Sequence, residues 1–129
     1  MINPSYKHSE LTEKIIGCAM QVHRILGSGF QEVIYQRALA IEMSESQIHF
    51  MREKEIPLYY KGQRVGDRRA DFIVEDVVAV ELKALIGLEQ AHLSQAKSYL
   101  EAYNVETGLL INFGQPSLEF RRLINGNYK

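Results

Sequence analysis

The chain has 129 residues, of which 46% are hydrophobic and 24% charged, as in an ordinary soluble globular protein. This length predicts one domain over residues 1–129, with a core that needs no disulfide or metal to hold it. The formal net charge of −1 excludes a global positive field, so a polyanion would need a local basic patch. No stretch approaches the ~18 apolar residues of a membrane span. The N-terminus does not resemble a signal peptide and Cys18 stands alone, so we expect a cytoplasmic protein.

Two helices are predicted in the first third of the chain. Ser9 can cap a helix that runs to about Leu26, because apolar residues recur there at helical spacing. Ser28 and Gln31, three residues apart, fit a capping box. A second helix is therefore predicted from this point to about Ser44.

Strand periodicity follows the second helix. Ile48–Met51 and Glu55–Tyr60 are predicted as strands, and Pro57 indicates an edge strand or a bulge. A third helix is predicted to open at Gly87 and to end near Asn104.

The chain closes with two predicted strands, Leu109–Phe113 and Leu118–Ile124. The first is a nearly continuous apolar run, which is typical of a strand covered on both sides. The order helix, helix, strands, helix, strand, strand predicts a mixed α/β or α+β fold, with helices packed on a central sheet.

One stretch lies between the predicted strand that ends at Tyr60 and the third helix. It covers residues 69–83 and reads Arg-Ala-Asp-Phe-Ile-Val-Glu-Asp-Val-Val-Ala-Val-Glu-Leu-Lys. Two β-branched runs flank the pair Glu75-Asp76, which predicts a hairpin centred on Asp76. Asp71 then lies opposite Glu81, on the same face as Lys83. The residues predicted to face a core are Phe72, Val74, Val78, Val80 and Leu82.

The same charged residues have an ordinary interpretation. Charges on one strand face usually make a solvated surface, and Glu81 with Lys83 could be an exposed ion pair that contributes little. A one-residue slip would also send Asp71 to the opposite face from Glu81. Spacing alone therefore leaves a functional site and a solvated strand face equally open.

Four features in chain order resemble the GxxExxY protein family of the PD-(D/E)xK nuclease superfamily. These features are Gly29-x-x-Glu32-x-x-Tyr35, Asp71, Glu81-Leu82-Lys83 and Gln95-x-x-x-Tyr99. His23 also resembles a histidine that is common just before the glycine-rich turn in that family. Ala70 is a departure, because proline precedes the acid in the superfamily motif.

This resemblance implies a restriction-endonuclease-like core and a metal-dependent nuclease that acts on DNA or RNA. Asp71, Glu81 and the Leu82 backbone carbonyl would hold Mg²⁺ or Mn²⁺. Lys83 would orient the attacking water or stabilise the charge on the phosphate. Glu32 would complete the site from its helix, through water or directly.

The resemblance also implies residues that contact the substrate or brace the site. They are His23, Tyr35, Gln95 and Tyr99. Gln95 and Tyr99 share a helix face, so the pair has an ordinary interpretation too, as the polar flank of an amphipathic helix.

Two other functions stay open. One is a non-catalytic nucleic-acid-binding or accessory module, favoured by small size and near-neutral charge; the other is a phosphohydrolase of small nucleotides. The set of two acids and a lysine favours the nuclease, because adjacent carboxylates repel each other and cost stability.

A homodimer would enlarge the surface that can contact nucleic acid. The basic residues expected to contact a polyanion are Arg64, Arg68, Arg69, Lys97, Arg121 and Arg122.

Overall fold

The computed structural model describes residues 8–129. The expectation that the N-terminus does not resemble a signal peptide falls partly on the first seven residues, which lie outside the described part. The elements are α1 (Ser9–Leu26), α2 (Glu32–Glu45), β1 (Phe50–Tyr60), β2 (Gln63–Val74), β3 (Val78–Lys83), α3 (Gln90–Tyr103), β4 (Thr107–Asn112) and β5 (Glu119–Ile124). No helix within residues 8–129 is long and apolar enough to cross a bilayer.

The five strands form one mixed sheet in the order β1-β2-β3-β4-β5. Neighbouring strands are antiparallel except β3 and β4, which are parallel. Parallel neighbours need a crossover connection, and α3 supplies it. The predicted mixed α+β fold with a central sheet flanked by helices is confirmed.

Both faces of the sheet are covered, and each has its own apolar cluster. The α1–α2 cluster joins these two helices to the sheet residues Phe72, Val74, Val78, Val80, Leu82, Leu109 and Ile111, and to Phe113 directly after β4. The α3 cluster joins Ala96 and Leu100 to the sheet residues Ala70, Ile73, Ala79, Leu110 and Leu123. The five residues of the hairpin predicted to face a core all lie in the α1–α2 cluster.

The predicted hairpin has the expected register. Val74 pairs with Val78 around the turn, so the turn is centred on Asp76 as predicted. Glu75 and Asp76 both have positive φ, at 52° and 61°, as a type I′ turn requires. The Val77 N–H donates to the Val74 carbonyl at 3.0 Å and closes the turn.

The predicted start of α2 was wrong. The helix begins at Glu32, and its N-cap residue, Gln31, makes no side-chain capping bond, so no capping box with Ser28 forms. The cause is Tyr35, whose hydroxyl donates to the Gly27 carbonyl and accepts the Phe30 N–H. These bonds hold the preceding residues as a loop.

Three smaller differences concern the other elements. The two predicted strand segments after α2 are one strand, β1, which contains a positive φ of 54° at Glu53. Its position at the sheet edge and the register shift at Leu58/Tyr59 agree with the expectation from Pro57. Ser9 is the first residue of α1 rather than its cap. Helix α3 begins at Gln90, behind a capping box formed by Glu89 and His92.

Candidate active site

Regular pairing between β2 and β3 ends at Phe72 opposite Val80. The preceding residue, Asp71, marks a change of face, because Ala70 packs in the α3 cluster whereas Phe72 packs in the α1–α2 cluster. Residues two apart in a regular strand share a face. The strand is therefore irregular at Asp71.

The Asp71 carboxylate uses this irregularity to contact both strands and a helix. Oδ2 accepts the backbone N–H of Leu82 at 2.8 Å, in a position where a regular ladder would use a backbone carbonyl. Oδ1 accepts the side-chain amide of Gln36, on α2, at 2.8 Å. Leu82 directly follows Glu81, and the negative charge of Asp71 raises the pKa of the Glu81 carboxyl, so the two acids predicted to meet lie near each other.

Glu81 is only 5% exposed, yet it carries a carboxylate. The Arg68 guanidinium donates to Oε2 at 3.2 Å, and the Tyr103 hydroxyl donates to Oε1 at 3.1 Å. Burial, followed by the negative charge of Asp71, raises the pKa of Glu81 to about 8, although Arg68 and Tyr103 act in the opposite direction. The pKa of the Tyr103 hydroxyl is also raised, by burial and then by the charge of Glu81.

Glu32 is the first residue of α2 and completes a cluster of three acids with Asp71 and Glu81, called here the acid cluster. Partial burial, followed by the charge of Asp71, raises the pKa of Glu32, while Lys83 and Arg68 lower it. The N-terminal end of a helix also favours a negative charge. Each acid of the cluster is therefore influenced by at least one other.

Two cations and an aromatic pair face the acid cluster from the α3 side. Lys83 Nζ lies 3.5 Å from Oε1 of Gln95, which is at the limit of a hydrogen bond. The Arg68 guanidinium lies 4.0 Å from the centre of the Tyr99 ring. Tyr99 in turn stacks on Tyr103, with ring centres 6.0 Å apart.

The structure brings together six of the predicted site residues and leaves two apart. Glu32, Asp71, Glu81, Lys83, Gln95 and Tyr99 form the assembly described above.

Tyr35 is completely buried, where it stacks on Phe113 with ring centres 4.6 Å apart and bonds the loop before α2. His23 bonds the Gln115 carbonyl through Nε2 at 2.8 Å. Both side chains therefore bond loop backbone, and their predicted contact with a substrate stays a prediction.

Sequence reasoning missed three contributors, namely Gln36, Arg68 and Tyr103. Gln36 is 6% exposed and lies four residues after Glu32, so both are on one face of α2. A polar residue in that position beside an acid was a usable signal. The sequence predicted Arg68 only as a contact for a polyanion and did not single out Tyr103, because their contacts with Glu81 join elements that are distant in sequence.

The donor set fits a hard divalent cation. Within residues 8–129 no group of three or more His, Cys, Asp or Glu side chains is already arranged to hold one. Mg²⁺, however, usually keeps several waters and needs only one or two protein carboxylates. Asp71 and Glu81 supply two neighbouring carboxylates, and the Asp71 carboxylate is fixed in direction by the Leu82 N–H and the Gln36 amide.

Most of the basic residues expected to meet a polyanion are paired with acids. Arg64 pairs with Asp67 and Glu55, and Arg121 pairs with Glu119 at 3.5 Å. The other pairs are Arg122 with Glu13 and Arg68 with Glu81, each at 3.2 Å.

Comparisons with known proteins agree with this geometry. A family model described as the PD-(D/E)XK nuclease superfamily matches residues 9–123. No curated protein matches the chain. A crystal structure of a protein designated SSO0001 is similar with a TM-score of 0.55 and 22% identity. The match covers 90% of this chain but 58% of that one, so the similarity is one of fold alone.

Proposed function

Since the chain belongs to the PD-(D/E)XK nuclease superfamily, we propose that it is a metal-dependent nuclease that hydrolyses phosphodiester bonds of DNA or RNA. The observation that carries this proposal is the 2.8 Å bond from the Leu82 N–H to Asp71, which places the Asp71 carboxylate beside Glu81 where β2 and β3 stop pairing. Lys83 lies two residues beyond Glu81 on the same strand. Two carboxylates and an amine at one strand end are the parts that such a reaction needs.

Asp71 and Glu81 would hold Mg²⁺ or Mn²⁺ with the Leu82 backbone carbonyl as a third oxygen ligand. The bound cation would neutralise the scissile phosphate and lower the pKa of a water molecule. Gln36 and the Leu82 N–H fix both oxygens of Asp71, so its carboxylate is already oriented. Glu32 would add a further carboxylate from the N-terminus of α2.

Lys83 is the group that would act on the phosphate or on the attacking water. Its positive charge acts on Glu32, and its amine contacts Gln95 over a long 3.5 Å. A cation held beside the reacting group stabilises the negative charge that develops on the phosphate, and it costs no reorganisation during the reaction. Gln95 and Tyr99 would then position Lys83 and the substrate backbone.

The Gly-x-x-Glu-x-x-Tyr motif supports the finer assignment to the GxxExxY family. Tyr35 bonds the backbone of Gly27 and Phe30 and thereby fixes the loop that leads into α2. Glu32 is the first residue after this loop. The tyrosine of the motif would therefore act by placing the glutamate rather than by contacting substrate.

A second candidate is an accessory module that binds nucleic acid without cleaving it. The observation in its favour is that Arg68 and Tyr103 already occupy both oxygens of Glu81. A protein that never loads a metal would need such partners permanently.

The test is a cleavage assay of the purified chain with single- and double-stranded DNA and RNA, in Mg²⁺, in Mn²⁺ and in EDTA. Nucleoside triphosphates form a further substrate class, and Glu81→Gln is the matched control. We expect metal-dependent cleavage that the control lacks. Hydrolysis of small nucleotides alone would favour the phosphohydrolase, and binding without cleavage in any metal would favour the accessory module.

A further inference from the structure

Arg68 is held at Glu81 by an incomplete set of contacts. Its single bond to Oε2 is 3.2 Å long, whereas charge-assisted pairs are usually about 2.7–2.9 Å and arginine often binds a carboxylate with two parallel bonds. A second nitrogen donates to the carbonyl of the next residue, Arg69, at 3.1 Å. The buried Nε has no hydrogen-bond partner among the described residues.

The guanidinium also lies against an aromatic face. It lies 4.0 Å from the centre of the Tyr99 ring, and that ring stacks on Tyr103. Stacking supports the plane of the guanidinium and leaves the donors on its edge free to choose a partner. Arg68 can therefore exchange one anion for another while staying on Tyr99.

A divalent cation at Glu81 would force this exchange. Arginine stays charged at every accessible pH, so Arg68 cannot relieve repulsion from the metal by losing a proton. Asp71 and Glu32 are the other acids near Arg68, but the proposed function assigns both to the same metal, so neither would replace Glu81 as its partner. The remaining anion that brings a pair of oxygens to this point is a phosphate of the substrate.

We propose that Arg68 is an exchangeable cation, which bonds Glu81 in the metal-free protein and moves to a substrate phosphate when a divalent cation takes Glu81. This inference rests on the proposed nuclease function. It assigns Arg68 two successive anions and makes nucleic-acid binding through this residue conditional on metal. An arginine that only stabilises the fold would show no such condition.

The first measurement is calorimetric titration of Arg68→Met with Mn²⁺ in the absence of nucleic acid. Removing the competing cation should tighten metal binding by about tenfold, since like charges at this range repel strongly in a partly buried site. Arg52→Met is the matched control, because Arg52 is an exposed arginine on β1 and its loss should leave the affinity unchanged.

The second measurement is the salt dependence of duplex DNA binding, in the Lys83→Met background so that no substrate is cut. With Mn²⁺ present, Arg68→Met should reduce the slope of log K against log salt by about 0.9, the loss of one phosphate contact. In EDTA the same substitution should leave the slope unchanged. Arg68→Lys should retain the slope with Mn²⁺, because it keeps the charge, and it guards against a folding defect in the methionine variant.

The wild-type protein gives an independent readout by NMR. The Arg68 Nε–H resonance should shift on adding Mg²⁺, and it should shift again with DNA only when Mg²⁺ is present.

Weaker metal binding in Arg68→Met, or equal slopes with and without metal, would overturn the exchange and leave Arg68 as a structural partner of Glu81. Wild-type protein that binds neither metal nor nucleic acid would instead overturn the proposed function itself.

Discussion

The side-chain amide of Gln36 donates a 2.8 Å hydrogen bond to Oδ1 of Asp71, and so joins the buried face of α2 to the irregular residue of β2. Gln36 is 6% exposed, so the bond is shielded from water. Together with the Leu82 N–H on Oδ2, it fixes the direction of a carboxylate that we assign to metal binding. A helix that packs on the sheet thereby also sets the geometry of the site.

Replacing Gln36 with Met should therefore damage metal binding without touching a ligand. Residues that hydrogen-bond to a metal ligand typically contribute about 10–100-fold to metal affinity or activity. We therefore expect a comparable loss of Mn²⁺ affinity, measured by calorimetry. The free energy of unfolding should fall by only about 1–3 kcal/mol, the cost of one lost buried hydrogen bond. Gln63→Met, on an exposed part of β2, is the control. Unchanged metal affinity in Gln36→Met would show that Asp71 needs no orientation from α2.

The raised pKa of Glu81 predicts how the stability of the metal-free protein depends on pH. Its ordinary value of 4.5 applies in the unfolded chain, and burial beside Asp71 raises it to about 8 in the fold. Between these values the folded protein keeps a proton that the unfolded chain has released. The raised pKa of Glu81 therefore contributes stability that is fully present below about pH 4.5 and is lost as pH rises toward 8. The loss is on the order of a few kcal/mol.

Glu81→Gln should remove this pH dependence, because the amide does not titrate. In EDTA, its melting temperature should change much less than that of the wild type between pH 5 and pH 8, and it should be the higher of the two at pH 8. Thermal unfolding at a series of pH values measures both. Parallel profiles for the two proteins would mean that Glu81 is ionised throughout this range.

The hairpin could be predicted because its signals are local. Two β-branched runs around Glu75-Asp76 determine both the turn and the face of each following residue, and the structure agrees as far as Phe72 opposite Val80. Beyond that pair, simple alternation fails at Asp71. Asp71 still lies near Glu81, because its carboxylate accepts the Leu82 N–H where the two strands have stopped pairing.

The missed and misassigned residues share a different cause. Tyr35 was expected at the substrate because the family resemblance implied it, whereas its hydroxyl bonds backbone a few residues earlier in the chain. Arg68 and Tyr103 meet at Glu81 through the packing of α3 on the sheet, which spacing within one element does not reveal. Local pattern therefore predicted the acids, and only tertiary packing supplied their partners.

Lys83→Met should separate metal binding from turnover. Removing a cation beside Asp71 and Glu81 relieves its repulsion of the metal, so Mn²⁺ affinity should be unchanged or tighter. Cleavage should fall by about 100–1,000-fold, since one preorganised charge at a transition state is typically worth ~3 kcal/mol or more. Lys54→Met removes an exposed lysine of β1 and serves as the control. Full activity in Lys83→Met would make Lys83 a surface lysine and exclude the role assigned to it.

The connection between β3 and α3 is fixed by close approach of the chain to itself, and this predicts the effect of Gly114→Ala. Asn112 is completely buried and bonds both the N–H and the carbonyl of Leu85, two residues after Lys83. A Cβ at Gly114 would overlap the backbone of Leu85, which cannot give way without breaking these bonds. Overpacking of this kind usually costs about 1–3 kcal/mol. The melting temperature should fall, and cleavage should fall further than stability alone explains, because Lys83 moves with the loop.

Gly17→Ala is the matched control: nothing lies within 4 Å of its added Cβ, and alanine within a helix should raise stability by roughly 0.5–1 kcal/mol. Thermal unfolding and cleavage, measured on both variants at a temperature where each is folded, would decide. A Gly114→Ala protein as stable and active as the wild type would mean that the Leu85 loop is free to move and does not position Lys83.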